Sequence, residues 1–132
     1  MSSVIDLVRR AYGTLDVDDV PSFLELCSDD AAVEYPASGQ LAYGGHWQGR
    51  DAIARFFERH DEVEEILDFE PADMAADGNT VFVRGFFRSR SRLTGRTWQT
   101  GWVHVFQVDD GALRRWQAYF DTAAAIEAHR WR

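Results

Sequence analysis

Between residues 79 and 120 three runs, separated at Thr94-Gly95 and Asp109-Asp110-Gly111, keep a period of two in which one set of alternate positions gathers aromatic and small side chains. A period of two marks strands with one buried face. Three strands are predicted over 79–92, 97–108 and 112–120, with a fourth at 66–76 ahead of them. Thr94-Gly95 suits a two-residue hairpin, and Asp109-Asp110-Gly111 suits a three-residue loop with glycine in the left-handed position. These turns set Gly85 opposite His104 and Phe87 opposite Trp102. On the other side they set Trp116 opposite His104 and Ala118 opposite Trp102. One sheet face then collects Val83, Gly85, Phe87, Trp98, Thr100, Trp102, His104, Phe106, Trp116, Ala118 and Phe120.

Ahead of these strands the chain reads as mainly helical. Val4, Ile5, Val8, Tyr12 and Leu15 form a helical stripe over 3–15. Asp18-Asp19 followed by Pro21 gives the cap and first turn of a second short helix bearing Phe23, Leu24 and Leu26. Ala31 to Tyr35 reads as a strand that Pro36 ends. Gly49-Arg50-Asp51 opens a third helix with Ile53, Phe56 and Phe57 on its inner face, and Asp121 caps a short C-terminal helix. Helices first and a meander afterwards is an α+β pattern. With 132 residues and no linker or repeat, one domain over 1–132 is expected.

The inward face mixes very large and very small side chains. Gly85 and Ala118 leave room beside the rings, and Gly85 also allows a sharp bend. Two arrangements fit: helices fill the gaps, or an apolar cavity with a few polar groups remains. Expected cavity residues are Tyr12, Trp47, Phe57, Val83, Gly85, Phe87, Trp102, Phe106, Trp116, Ala118 and Phe120. His104 is the candidate for chemistry, because imidazole exchanges a proton near neutrality. Tyr35 is the candidate phenolic donor beside it, with Tyr12 as a second. The alternative is a core histidine satisfied by Thr100, Tyr35 or a water, and a Tyr35 that is simply a core phenol. His46 and Trp47 read as rim residues with His46 exposed; His60 and His129 read as surface helix residues.

Composition removes several function classes. A net charge of −8 argues against a sequence-independent grip on nucleic acid or anionic membrane. All 14 basic residues are arginine, which excludes lysine Schiff-base chemistry. No phosphate-loop or dinucleotide glycine pattern occurs. The four histidines and Cys27 lack zinc spacing, so neither metal nor cofactor is expected. The lone Cys27 cannot form an internal disulfide, and no stretch approaches membrane-spanning length, so a cytoplasmic protein is expected. Phe82, Arg84, Phe86, Arg88, Val103, Val105, Arg115, Gln117 and Tyr119 make an outer sheet face too apolar for full solvation. A homodimer through that face is the expected assembly. Arg88, Arg90 and Arg92 are expected to pair with the chain's own carboxylates.

Three strings carry a family resemblance: Asp29 to Pro36 (DDAAVEYP), Gly44 to Ile53 (GGHWQGRDAI) and Arg115 to Asp121 (RWQAYFD). Together they resemble the nuclear transport factor 2-like superfamily, in its SnoaL-like and ketosteroid-isomerase-like branch, over nearly the whole chain. The resemblance implies a cone-shaped half-barrel, with three helices over a strongly bent sheet and a hydrophobic pocket open at one end. It also implies catalytic positions, and these have changed. The isomerase base position holds Tyr35, its acid position holds His104, and its first-helix tyrosine position falls on Ala11, with Tyr12 roughly 100° round the helix. The Asp–Arg–Asp set of limonene epoxide hydrolase-like members is matched by Gly85, Phe87 and Ala118. The aspartate of SnoaL-type cyclases has only Gln117 and Ala118 near its place. The function expected is a small-molecule pocket protein, as a cofactor-free acid–base isomerase, cyclase or dehydratase acting on a small apolar carbonyl compound. The alternatives are a non-catalytic carrier of such a molecule, or a dimeric protein-association domain.

Overall fold

Ser3 starts the first helix, α1 (Val4–Asp16), with a reciprocal cap: the Asp6 amide donates to Ser3 Oγ at 3.0 Å, and the Ser3 amide donates to Asp6 Oδ2 at 3.2 Å. The computed structural model describes residues 3–130. α1 buries Leu7, Val8, Ala11 and Tyr12 along one stripe. Asp19 caps α2 (Val20–Glu25), with Pro21 in its first turn. Then follow β1 (Cys27–Tyr35), β2 (Gly45–Gln48), α3 (Arg50–Val63), β3 (Glu64–Asp77), β4 (Thr80–Ser91), β5 (Thr97–Asp109), β6 (Ala112–Phe120) and α4 (Thr122–His129), capped by Asp121. β2 was not expected; four residues beginning at a glycine are too short to show a period.

The six strands form one curved open sheet in the order β2-β1-β6-β5-β4-β3, antiparallel throughout except for the β1–β6 pair. Register shifts in β1, in β3 and near Gln107 add local bends. The helices cover the concave face, where Val8, Phe23, Val33, Ile53, Phe56, Val83 and Phe106 form the core. Among the described residues, no helix is long and apolar enough to cross a membrane.

Both hairpin registers differ from expectation by two residues. Gly85 pairs with Trp102, Val83 with His104 and Phe87 with Thr100. The β4–β5 connection is a four-residue loop, 92–95, closed by the Gly95 amide donating to the Ser91 carbonyl at 2.9 Å, with Gly95 at φ 79°. Across β5 and β6, His104 pairs with Ala118, Phe106 with Trp116 and Trp102 with Phe120. Here Asp110 and Gly111 make the turn with φ of 49° and 75°, both positive as a type I′ turn requires. A bulge at Gln107–Val108 adds the rest of the offset. A shift of two keeps every side chain on its face, so the inward set stands.

Gly85 also has a different role from the one expected. The Trp102 indole lies over it, so closely that a Cβ there would collide with the ring. The gap at Gly85 is a seat for Trp102, not open volume.

Candidate active site

Under the helices lies a cavity of about 750 Å³. Its buried walls come from the sheet and from the inner face of α3. Tyr35 of β1, Phe69 of β3, Phe87 of β4, four β5 residues (Trp98, Thr100, Trp102 and His104), and Trp116 and Phe120 of β6 meet Phe56, Phe57 and His60 of α3. The residues that line it while remaining exposed are Asp16, Asp18, Glu58, Asp61 and Ile66, so the mouth opens between the end of α1, α3 and the start of β3.

His104 sits in the wall at 2% exposure. Its ring stacks on Trp102 at 4.0 Å and meets Trp116 edge-on at 5.1 Å. Tyr12 reaches over from α1, and its hydroxyl lies 2.7 Å from His104 Nδ1. This bond fixes the chemistry of the ring. Burial lowers the His104 pKa to about 3, so the imidazole is neutral through the physiological range. Burial also pushes the Tyr12 phenol well above its ordinary value, with nearby Tyr35 adding to the shift, so Tyr12 keeps its proton. Among the described residues that proton has one acceptor, Nδ1. If Nδ1 carried hydrogen instead, the phenol O–H would be a buried donor without a partner, the costlier arrangement. Tyr12 therefore donates to Nδ1, and His104 carries its hydrogen on Nε2. Nε2 has no partner among the described residues and is not an occluded atom, so it is a donor presented to the cavity.

Tyr35 lies 6.4 Å from the His104 ring and 6.5 Å from His60, measured between centroids, and is edge-on to Trp116 at 5.6 Å. Its hydroxyl has no partner among the described residues, and burial raises its pKa. The phenol stays protonated. Of the expected cavity residues, Phe57, Phe87, Trp102, Trp116 and Phe120 line the space with Tyr35 and His104. Tyr12, Trp47, Val83, Gly85, Phe106 and Ala118 do not; they stand behind the lining. Trp47, for example, donates from Nε1 to the Tyr43 carbonyl at 3.0 Å and packs on Phe56.

Two histidines depart from the expected surface positions. His60 faces the cavity, 4.4 Å from the Tyr43 ring and 6.1 Å from Phe87, and burial lowers its pKa to about 4 against the opposing pull of Glu64 and Asp61. The signal was present: His60 follows Phe56 by four residues and so shares its inner face. His129 of α4 is only 9% exposed at its side chain, bonded to Glu64 Oε2 at 2.9 Å through Nε2 and to Ser91 Oγ at 2.6 Å through Nδ1. His46 is exposed, as expected, and pairs with Glu34.

Glu64 is the hub of this second cluster and has no local signature. It is 1% exposed and accepts from Tyr43 Oη at 2.6 Å, Ser89 Oγ at 2.8 Å and Trp98 Nε1 at 3.0 Å as well as His129. Burial alone would raise its pKa; the hydrogen bonds from His129, Tyr43 and Trp98, with the charge of His129, outweigh burial and hold it below the usual value. Serine, histidine and glutamate in a row resemble a hydrolytic triad in composition only. Ser91 is 1% exposed and its Oγ already accepts the Leu93 and Thr94 amides. The cluster ties α4 to the sheet, and through Tyr43 and Trp98 it steadies two cavity residues.

The comparisons agree with this architecture. A family model described as the SnoaL-like domain matches residues 8–116. A nuclear transport factor 2-like protein of unknown function from Burkholderia pseudomallei superposes with a TM-score of 0.91 at 24% identity, covering 99% of this chain and 100% of that one. TerC, co-crystallised with polyporic acid, gives a TM-score of 0.87 at 25% identity over 97% and 98% of the two chains. A candidate polyketide cyclase from Xanthomonas campestris gives 0.77 at 22% identity, covering 96% of each. A search of the curated proteins returns no match.

Proposed function

The chain belongs to the SnoaL-like domain family, and from that premise we propose that it binds a small, largely apolar carbonyl compound in the cavity and promotes proton transfer on it without a cofactor. The observation that carries this is the Tyr12–His104 bond at 2.7 Å, which leaves a neutral imidazole N–H directed at an aromatic-walled space. A fixed donor aimed at a carbonyl oxygen stabilises the enolate that forms when the adjacent carbon loses a proton. Tyr35 is a second donor on the same wall. His60, neutral and without a hydrogen-bond partner among the described residues, is the acceptor available within the wall. Isomerisation, ring closure and dehydration of carbonyl compounds all begin with this step. The co-crystallisation of TerC with polyporic acid supports a small organic ligand for this fold.

Non-catalytic carriage has one observation in its favour: among the described residues, the carboxylates lining the cavity are exposed or, at Asp68, paired with Arg88, so none stands free within the aromatic wall as a base. One experiment separates the two readings. The protein is incubated with 2-acetylnaphthalene in D2O, and deuterium entry into the methyl group is followed by NMR alongside binding by calorimetry. Enolisation predicts accelerated exchange that falls about 100-fold in His104→Gln and less in Tyr35→Phe. Binding without exchange would mean a carrier, and no binding would refute the cavity reading.

The assembly proposed is a homodimer through the outer sheet face. Phe82, Phe86, Val103 and Tyr119 are exposed there, and Arg84 and Arg88 are already paired with Asp73 and Asp68. A face of exposed rings with its arginines internally neutralised suits a second copy of itself. Sedimentation should show a dimer that Phe82→Glu converts to a folded monomer; a wild-type monomer would overturn it.

A further inference from the structure

The charges around the cavity are as one-sided as its walls are aromatic. Asp16, Asp18, Glu58, Asp61 and Asp68 all line it, and although the chain has 14 arginines, none does so among the described residues. Asp68 is held by Arg88 at 2.9 Å and Asp61 by Arg92 at 3.7 Å. Asp16, Asp18 and Glu58 have no ion pair among the described residues and stand exposed at the mouth, two from the end of α1 and its loop and one from α3. Independently, the deep wall presents the His104 Nε2–H, on a side chain 2% exposed, with no protein acceptor.

Resting on the carbonyl-binding reading above, we infer that the cavity is a two-ended site for an amine-bearing carbonyl compound: an acceptor oxygen meets His104 inside, and a protonated amine meets Asp16, Asp18 and Glu58 at the mouth. Aromatic walls between the two ends suit a flat apolar body. The same carboxylates repel a ligand carrying a carboxylate or phosphate at that end. Carboxylates at an exposed mouth act through water, so each adds modestly, and the preference falls with salt.

The test uses three probes with one body: 2-acetylnaphthalene, its 6-aminomethyl derivative and its 6-carboxylate. Calorimetry at low salt should rank them amine tightest, neutral intermediate and carboxylate weakest, the extremes about tenfold or more apart. Raising sodium chloride to about 0.5 M should compress the series. The variant Asp16→Asn/Asp18→Asn/Glu58→Gln should bring the affinities of the three probes within about twofold of one another. Equal binding of the three probes, or tightest binding of the carboxylate, would overturn the charge assignment and leave the carbonyl site standing. Binding by none of them would overturn both.

Discussion

Two buried polar clusters sit on the inner side of the same sheet, and they are finished to different degrees. Around Glu64 every partner is supplied by the protein: four donors on one carboxylate, with Ser91 closing the far side of His129. Around His104 the protein supplies one bond. Tyr12 satisfies Nδ1, whereas Nε2 and the Tyr35 hydroxyl have no protein partner among the described residues; the indole nitrogens of Trp102 and Trp116 also lack one but are occluded, so they are not offered to the cavity. Buried polar groups are almost always paired when their role is architectural. A saturated cluster therefore marks where the chain spends polar groups on holding itself together. An unsaturated one on a cavity wall marks where it keeps them for a ligand.

The contrast is sharpest in stability. Glu64→Ala takes the acceptor from three buried donors, Tyr43, Trp98 and His129, while Ser89 keeps the Glu65 carbonyl at 3.1 Å, and chemical denaturation should show a loss of about 3–5 kcal/mol. A loss below about 1 kcal/mol would mean the cluster is not the anchor described. His104→Gln should cost far less, because the site it leaves is one the fold has not closed.

The next largest effect is with acid. His104 and His60 have folded pKa values of about 3 and about 4, below the ordinary 6.5. Between 6.5 and those values the unfolded chain takes up protons that the folded chain does not. Their contribution is thus fully present above about pH 6.5 and is lost as pH falls, at about 1.4 kcal/mol per pH unit for each ring. Glu64, depressed from 4.5, adds a further loss only below that pH. Urea midpoints in His104→Gln should fall less steeply between pH 6.5 and 4.5 than in the wild type. Identical slopes would show that His104 is not held neutral.

Tyr12→Phe should have the smallest effect on stability, about 1 kcal/mol, since it removes one hydrogen bond and keeps the ring packing. Its effect on binding should be larger, because Nδ1 is then free to take the hydrogen and Nε2 no longer must donate. A variant that loses stability but binds carbonyl probes normally would detach Tyr12 from the site.

The sequence carried the unsaturated cluster better than the saturated one. His104, Trp102 and Trp116 lie on alternating strands, and alternation assigns faces whatever the register; an error of two residues moves partners along the strand but never across the sheet. That error came from loops, where a four-residue connection and a bulge cannot be told from shorter turns by composition. Glu64 was invisible for a different reason. Its partners Tyr43, Ser89, Trp98 and His129 lie 21 to 65 residues away, and a glutamate at a helix–strand junction looks solvated until tertiary packing closes over it. A lone histidine on a helix reads as a surface residue, which is where sequence alone puts His60 and His129. The helical stripe puts the Tyr12 phenol near the site, but only the 2.7 Å distance reveals it as the group that sets the imidazole tautomer.

The most direct measurement is a heteronuclear NMR titration of the histidine ring nitrogens. The expected result is a His104 that is neutral with hydrogen on Nε2 from pH 8 down to about pH 4, and whose tautomer becomes mixed in Tyr12→Phe. A His104 that titrates near 6.5, or that carries its hydrogen on Nδ1, would contradict the donor assigned to the cavity wall.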